Sequence, residues 1–319
     1  MSQPGKRSVA ASERRTRARR RYAARRLFVL CATFAALAVV FGLVNALFGH
    51  DDGGRASVSA SADDSVMSAP LESISPLQTA AVDPTATVKQ VTVATKEHPA
   101  ELLVLGDSDA GNYGPAVRDL LDATGLVVTT IDYHIATGLA RPDYFDWPLY
   151  MRQVVPQVNP DIVVVTFGGN DAQGLRNADG TWAVGHRPGE GLDDTTWRAE
   201  YGRRVGETMD YLTEGDRTLI WVGITNDDEA QNTARLKVQD EVVRAEVAKR
   251  PRVVFVDSWA MFSGVDGGWA SSIIDPRDGV GKDVRRADGF HLNQTGADIL
   301  AEKIEHIVLD DLRSRGAQI

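Results

Sequence analysis

The hydrophobic pattern of the C-terminal two thirds of the chain alternates between short and long apolar segments. The short segments are nearly continuous in apolar residues and cover 101–105, 126–131, 161–167, 217–224 and 252–257. In the longer segments apolar residues recur at helical spacing, over 113–123, 147–157, 195–213, 230–249 and 293–312. Nearly continuous apolar runs are typical of strands that are buried on both faces. The alternation therefore predicts an α/β fold, a three-layer α/β/α sandwich built on five parallel strands.

A further apolar run, residues 27–48, lies near the N-terminus and carries no charge. As a helix it would be about 33 Å long, enough to cross a hydrocarbon core of about 30 Å. Residues 1–26 hold ten basic residues and one acid. Because an excess of Lys and Arg marks the cytoplasmic flank, the pattern predicts a basic cytoplasmic tail over 1–26 and a single-pass transmembrane helix over 27–48. The rest of the chain would then be extracytoplasmic, at the cell membrane.

Two other interpretations of residues 27–48 stay open. A cleaved signal peptide could end near residues 60–62, although its apolar core is usually only about 7–15 residues long. A buried core helix is disfavoured by the polar flanks on both sides. The single cysteine, Cys31, lies inside this run, so no disulfide can form within the chain.

The segment that follows has the composition of a linker. Residues 49–98 are rich in Ser, Ala, Thr, Asp and Gly and contain no aromatic residue. Such a segment buries too little apolar surface to offset the entropy that ordering costs. We expect a disordered extracytoplasmic linker over 49–98 and a globular domain over 99–319.

Charge and motifs exclude several function classes. The formal net charge is −9, but the basic tail contributes +9, so the remainder of the chain carries −18. A domain this acidic is not expected to bind nucleic acid. The glycines of 106–114 lack the Gly-Lys-Ser/Thr ending of a phosphate loop, and no His or Cys cluster has the spacing of a zinc site. We therefore expect neither a metal nor a cofactor.

Small and polar residues follow three of the predicted strands. They are Gly-Asp-Ser at 106–108, Thr-Gly at 137–138 and Gly-Gly-Asn-Asp at 168–171, and Asp-Gly-Phe-His at 288–291 precedes the last helix. Sites in parallel sheets form beyond the carboxyl ends of the strands. We expect these four segments to converge there.

The residue types in these segments suit nucleophilic catalysis. Ser108 needs a base to take its proton, and His291 is a candidate for that base. Asp288, three residues earlier, could orient the imidazole and stabilise its positive charge. Backbone N–H groups and the amide of Asn170 could stabilise an oxyanion. Taken alone, residues 106–108 fit a structural turn with a helix cap as well as they fit a catalytic site.

Together and in this order, the four segments resemble those of the SGNH (GDSL-like) hydrolase superfamily. The resemblance extends over about 100–312, and "TGLARPDYFDWP" at 137–148 is similar to a bacterial, envelope-associated subgroup. It implies a flavodoxin-like fold and an acyl-enzyme mechanism.

The resemblance also implies particular roles. Ser108 would be the nucleophile, and Asp288 and His291 would complete the triad. Ser108, Gly138 and Asn170 would donate to the oxyanion. The glycine is the least specific of these assignments, because Gly111 and Gly114 also lie near the serine.

Three residues are candidates for contact with substrate. Asp109 stands where the family often has Leu, and it could contact a polar substrate or be a solvated acid at the start of a helix. Trp147 and Trp182 could line a sugar-binding cleft or belong to the core or rim. The long insertions 172–194 and 258–287 are expected to frame the entrance.

The resulting hypothesis is a membrane-anchored, extracytoplasmic serine esterase. Its partner would be an acylated glycan of the cell envelope or a small ester. An O-acyltransferase would use the same triad with a glycan acceptor in place of water. A non-catalytic envelope scaffold is the alternative from a different class.

Overall fold

The computed structural model describes residues 93–319. The predicted tail, transmembrane helix and most of the linker, residues 1–92, lie outside the described residues. Within 93–319 no helix is both long enough and apolar enough to cross a membrane.

The described residues form strands and helices in alternation. The strands are β1 (Ala100–Gly106), β2 (Val127–Tyr133), β3 (Ile162–Thr166), β4 (Leu175–Arg176), β5 (Trp182–Val184), β6 (Thr218–Val222), β7 (Val253–Val256), β8 (Ser272–Ile274) and β9 (Gly281–Asp283). The α-helices are α1 (Ser108–Asp122), α2 (Trp147–Val158), α3 (Thr195–Leu212), α4 (Ala230–Ala248), α5 (Ser258–Met261) and α6 (Gln294–Ser314). A single 3₁₀ turn covers Gly169–Asp171.

The central sheet has five strands in the order β2-β1-β3-β6-β7, and every neighbouring pair is parallel. This order is the flavodoxin-like one, and the prediction of five parallel strands is confirmed. The chain leaves β1 toward β2 on one side and later returns to β3 on the other. That reversal creates a crevice at the carboxyl end of β1, where Ser108 begins α1.

Helices cover both faces of the sheet. Alternate residues of β1 point to opposite sides, so Leu102 and Val104 pack in one apolar cluster and Leu103 and Leu105 in another. The first cluster includes residues of α1 and α6, and the second includes residues of α2, α3 and α4. Every residue of β3 is buried, as expected for a central parallel strand.

The structure differs from the predicted elements in two respects. Helix α1 begins at Ser108, five residues before its apolar residues take up helical spacing, because the Asp107 side chain accepts a hydrogen bond from the Asp109 N–H and caps it. The first turns are rich in small and polar residues, so they lack the apolar spacing that marks a helix. The two insertions contain antiparallel hairpins, β4–β5 and β8–β9, which the apolar pattern does not mark.

Candidate active site

Ser108 lies at the first position of α1, directly beyond the carboxyl end of β1. The preceding Gly106 has φ +142°, and a Cβ atom at this position would lie 2.1 Å from the Thr166 carbonyl oxygen. Glycine therefore allows β1 to turn sharply against the end of β3. The turn leaves Ser108 at the N-terminus of a 15-residue helix, where the helix dipole favours negative charge.

The side chains of Ser108, His291 and Asp288 form a chain of hydrogen bonds. Ser108 Oγ lies 3.0 Å from His291 Nε2, and His291 Nδ1 lies 3.0 Å from Asp288 Oδ2. The other carboxylate oxygen of Asp288 accepts hydrogen bonds from the backbone N–H groups of Phe290 and His291. Burial raises the pKa of Asp288, but these backbone hydrogen bonds and the bond to His291 outweigh it and hold that pKa below its usual range. The carboxylate therefore stays charged beside the imidazole.

The loop that carries His291 is fixed by side chains from other parts of the domain. Arg285 is buried and donates from Nη1 to the Phe290 carbonyl oxygen at 2.7 Å. The indole N–H of Trp269 donates to the Gly289 carbonyl oxygen at 2.6 Å. From α1, Asn112 donates to the Leu292 carbonyl oxygen at 3.1 Å. These bonds hold the histidine loop on the same helix that begins with the serine.

Asp107 organises the opposite side of the site. Its buried carboxylate accepts hydrogen bonds from the Gly168 N–H at 2.7 Å and from the Asn170 amide at 3.1 Å. One hydrogen of the Asn170 amide is thus used to fix the side chain, and the second remains available to a ligand. The Asp107 carboxylate therefore positions the segment after β3 relative to Ser108.

Two further features of this region concern charge. Burial, and then the nearby Asp109, raise the pKa of Asp107 to about 7. Burial also raises the pKa of Asp109 to about 6, with Arg285 opposing the shift. A Cβ at Gly168 would lie 2.0 Å from Asp109 Oδ2 and 3.3 Å from Asp107 Oδ2. Both carboxyl groups thus pack on the same glycine behind Ser108, where Asp109 is half-buried.

Asp171 holds the loop after β2 in place. Its carboxylate accepts hydrogen bonds from the Leu139 N–H at 3.0 Å, the Ala140 N–H at 2.8 Å and the Tyr201 hydroxyl at 2.9 Å. A Cβ at Gly138 would lie 2.0 Å from Asp171 Oδ1, so only glycine allows this approach. Burial raises the pKa of Asp171 to about 7 against these three hydrogen bonds.

A pocket of about 410 Å³ opens beside Ser108 and His291. Gly169 and Asn170 line it, whereas Gly138 is buried and is not among its lining residues. Gly169 belongs to the Gly-Gly-Asn-Asp segment at 168–171. The sequence of this segment does not indicate which of its two glycines faces the pocket. Gly111 packs on the Tyr133 ring and Gly114 on Ile131, so both are packing residues between α1 and β2.

The predicted substrate contacts do not line this pocket. Trp147 has no exposed surface and donates its indole N–H to Thr137 Oγ1 at 2.9 Å, so its ring belongs to the core. Trp182 lies on β5 and is 53% exposed, and the Arg176 guanidinium packs against its ring. Asp109, the second residue of α1, packs its carboxyl group against Gly168. The tryptophan predictions fail because sequence spacing does not tell a core face from a cleft.

Residues that sequence reasoning missed line the pocket in their place. They come from the insertion after β3, the loop after β6 and the start of α4, and they include Gln173, Arg187, Asp227, Asn232 and Arg235. No periodic or motif signal marks them, because the folding of loops brings them together. Across residues 93–319, no group of three or more His, Cys, Asp or Glu side chains is arranged to hold a metal ion.

The five-stranded parallel sheet and the serine at the end of its first strand define the class of fold as that of the SGNH hydrolases. Residues 101–306 match the family described as "Protein of unknown function (DUF459)", and the chain belongs to this family, which is SGNH-like. The predicted superfamily resemblance is thereby confirmed. No curated protein matches the chain.

Solved structures of similar fold include esterases and a lipase. An acetyl xylan esterase, AlAXEase, is 16% identical, with 65% of this chain and 99% of that chain covered and a TM-score of 0.46. A GDSL-like lipase from Bacteroides thetaiotaomicron is 14% identical, with coverages of 69% and 93% and a TM-score of 0.46. An acetyl xylan esterase from Geobacillus stearothermophilus is 19% identical, with coverages of 69% and 95% and a TM-score of 0.45. At these identities the likeness concerns the fold alone.

Proposed function

We propose that the chain is a serine esterase that hydrolyses acyl esters. The observation that carries this proposal is the chain of 3.0 Å contacts from Ser108 to His291 and from His291 to Asp288, with the serine and the histidine lining one pocket. A serine with a hydrogen-bonded base, and a base with a hydrogen-bonded orienting group, is the arrangement that activates a hydroxyl for acyl transfer. A fold that only supports other proteins would have no need of this alignment.

In the first half-reaction, Ser108 Oγ attacks the ester carbonyl while His291 Nε2 takes its proton. Asp288 stabilises the imidazolium, which then gives the proton to the leaving alcohol as the C–O bond breaks. In the second half-reaction, His291 takes a proton from water as the water oxygen attacks the acyl carbonyl. The bond between the acyl carbon and Ser108 Oγ then breaks, His291 returns the proton to Oγ, and the carboxylic acid is released.

The negative charge that forms on the carbonyl oxygen needs fixed donors. In the described residues nothing accepts a hydrogen bond from the Ser108 N–H, and this group stands at the N-terminus of α1. The second hydrogen of the Asn170 amide is a further donor, held in place by Asp107. Gly138, the predicted third donor, is buried and does not line the pocket, so the proposal does not depend on its N–H.

Hydrolysis of 4-nitrophenyl butyrate by the full chain tests this proposal. Ser108→Ala is expected to lower kcat by at least about 10³-fold, because the nucleophile is lost. The matched control is Ser314→Ala, which removes an exposed hydroxyl at the end of α6. Turnover that survives in Ser108→Ala would contradict the assigned nucleophile. If neither the unaltered chain nor either variant hydrolyses the ester, the result would support the non-catalytic scaffold.

The substrate and location of the esterase form a separate part of the proposal. The basic residues of 1–26 and the uncharged run 27–48 support a membrane anchor, with the domain facing the cell envelope. The substrate would then be an acyl ester of an envelope glycan. Protease added to intact protoplasts should digest residues 99–319, and their protection would contradict this topology. Acyl transfer to a glycan that outpaces release of free acid would favour the O-acyltransferase instead.

A further inference from the structure

The pocket beside Ser108 contains an arginine that has no partner among the described residues. Arg187 is exposed and lines the pocket together with Ser108 and His291. Within residues 93–319, no carboxylate lies within 4.0 Å of its guanidinium and no hydrogen bond engages it. A cation in this position is notable because residues 27–319 together carry a net charge of −18.

The other charged groups of the pocket are already engaged. Arg235 forms an ion pair with Glu190 at 3.2 Å and is hydrogen-bonded to Asn232. Asp227 is buried, and its carboxylate accepts a hydrogen bond from the Glu229 N–H at 2.8 Å. Unlike Arg235 and Asp227, the Arg187 side chain is therefore free to bind a charged group of a ligand.

The segment that carries Arg187 is anchored to the start of α4. Gly189 has φ +71°, and a Cβ there would lie 2.6 Å from the Ala234 carbonyl oxygen. Its N–H donates to the Asp194 carboxylate, with N···O distances of 3.1 and 3.2 Å, and the adjacent Glu190 forms the ion pair with Arg235. These contacts fix the backbone two residues beyond Arg187 against the pocket wall.

We propose that Arg187 binds a negatively charged group of the ester substrate. This inference rests on the proposed esterase function and makes it more specific. A guanidinium offers a planar fork of donors that matches a carboxylate or a phosphate. The anionic group belongs either to the acyl part, as in a dicarboxylic half-ester, or to the alcohol part, as in an acylated uronic acid.

Two matched pairs of esters test the proposal and distinguish these sources. The first pair is 4-nitrophenyl butyrate and 4-nitrophenyl hydrogen succinate, and the second is the 2-O-acetyl esters of methyl glucoside and methyl glucuronoside. We expect the full chain to prefer the anionic member of at least one pair by about 10- to 100-fold in kcat/KM. Arg187→Gln should reduce that ratio to about 1. The control Arg198→Gln removes an exposed arginine that pairs with Glu241 and should keep the ratio unchanged.

The outcomes separate the two proposals. Neutral esters that are cleaved in a Ser108-dependent manner, without preference for either anionic member, would overturn the role of Arg187 and leave the esterase intact. If Arg187→Gln lowers kcat/KM equally for both members of each pair, the proposed role of Arg187 is also overturned, because a purely structural role does not distinguish charged from neutral esters. Failure to cleave any ester would count against the esterase itself.

A second pair of variants tests the anchoring. Gly189→Ala places a methyl group against the Ala234 carbonyl, whereas Gly191→Ala, at φ +84°, meets nothing within 4 Å. Both carry the strain of a left-handed backbone, but only the first should displace Arg187. We expect Gly189→Ala to lower the preference for the anionic ester and Gly191→Ala to preserve it. If Gly189→Ala and Gly191→Ala show the same preference for the anionic ester, the proposed anchoring of Arg187 is contradicted.

Discussion

At the scale of single residues, the site depends on carboxylates that hold other groups in place. Asp288 binds the His291 ring with one oxygen and two backbone N–H groups with the other. Asp107 binds the Gly168 N–H and the Asn170 amide with one oxygen and the Asp109 N–H with the other. In both cases an acceptor with two oxygens fixes a short turn and a functional side chain at once.

Replacement of Asp288 should therefore affect chemistry more than folding. In Asp288→Asn, the amide NH₂ offers a donor where the imidazole needs an acceptor, so we expect kcat to fall by about 10²- to 10⁴-fold. Ester hydrolysis by the full chain measures this effect, with Asp298→Asn on α6 as the control. A loss of less than about threefold would show that Asp288 does not orient the base.

Asn170 should contribute through the transition state. Asn170→Ala removes the proposed oxyanion donor, and we expect kcat to fall by about 10²- to 10³-fold while KM changes little. Asn177→Ala removes an amide that donates to Thr181 Oγ1 in the β4–β5 hairpin and serves as the control. A change confined to KM would assign Asn170 to ground-state binding instead.

At the scale of elements, the site is assembled from segments that follow separate strands. The 3₁₀ turn after β3 supplies Asn170 to the pocket and, one residue later, supplies Asp171 to the loop after β2. Gln239 of α4 donates hydrogen bonds to the Phe167 and Gly168 carbonyl oxygens. Packing of the helices on the sheet thereby determines where the loops meet.

Asp171 is expected to be important for stability. All three of its hydrogen-bond partners are donors, so Asp171→Asn turns the new NH₂ toward at least one of them and leaves a buried polar group without a partner. We expect the free energy of unfolding to fall by about 1–3 kcal/mol, measured by urea denaturation. The control is Asp179→Asn in the exposed β4–β5 turn. Equal stability of both variants would contradict this account of the loop.

The sequence predicts those elements whose signal is local. The three inner strands of the sheet, β1, β3 and β6, are buried almost throughout, so each has a continuous apolar run. The edge strands β2 and β7 are partly exposed, but their apolar runs still mark them. The start of α1 is set by the Asp107 cap, so apolar spacing alone marks this helix only from about residue 113. The pocket residue Arg187 could not be predicted, because its role depends on contacts of the 185–191 loop with α4. Burial of Trp147 likewise depends on which helix face meets the sheet.

At the scale of the whole molecule, buried carboxyl groups make stability depend on pH. The pKa values of Asp107, Asp109 and Asp171 are raised in the folded state, to about 7, 6 and 7, mainly by burial. Between about pH 4 and pH 7 the folded chain therefore retains protons that the unfolded chain has released. The free energy of unfolding should fall as pH rises through this window. Carboxylates with lowered pKa, such as Asp288, act in the opposite direction at lower pH.

Asp109→Asn should reduce this pH dependence. The variant removes one raised carboxyl group and also one cause of the raised pKa of Asp107. We expect the loss of stability between pH 5 and pH 7.5, measured by urea denaturation, to shrink by on the order of 1–2 kcal/mol. Asp119→Asn on the exposed side of α1 is the control. An unchanged slope in Asp109→Asn would contradict both the raised pKa of Asp109 and its effect on the pKa of Asp107.

The measurement that tests the central claim most directly is the site of covalent labelling by a serine-directed fluorophosphonate, read by peptide mass mapping of the full chain. The account predicts a single adduct on Ser108 that is absent in Ser108→Ala. It also predicts that His291→Ala slows labelling by about 100-fold or more, because the base that activates the hydroxyl is missing. Labelling at another serine, or at Ser108 with the same rate in His291→Ala, would contradict the proposed triad.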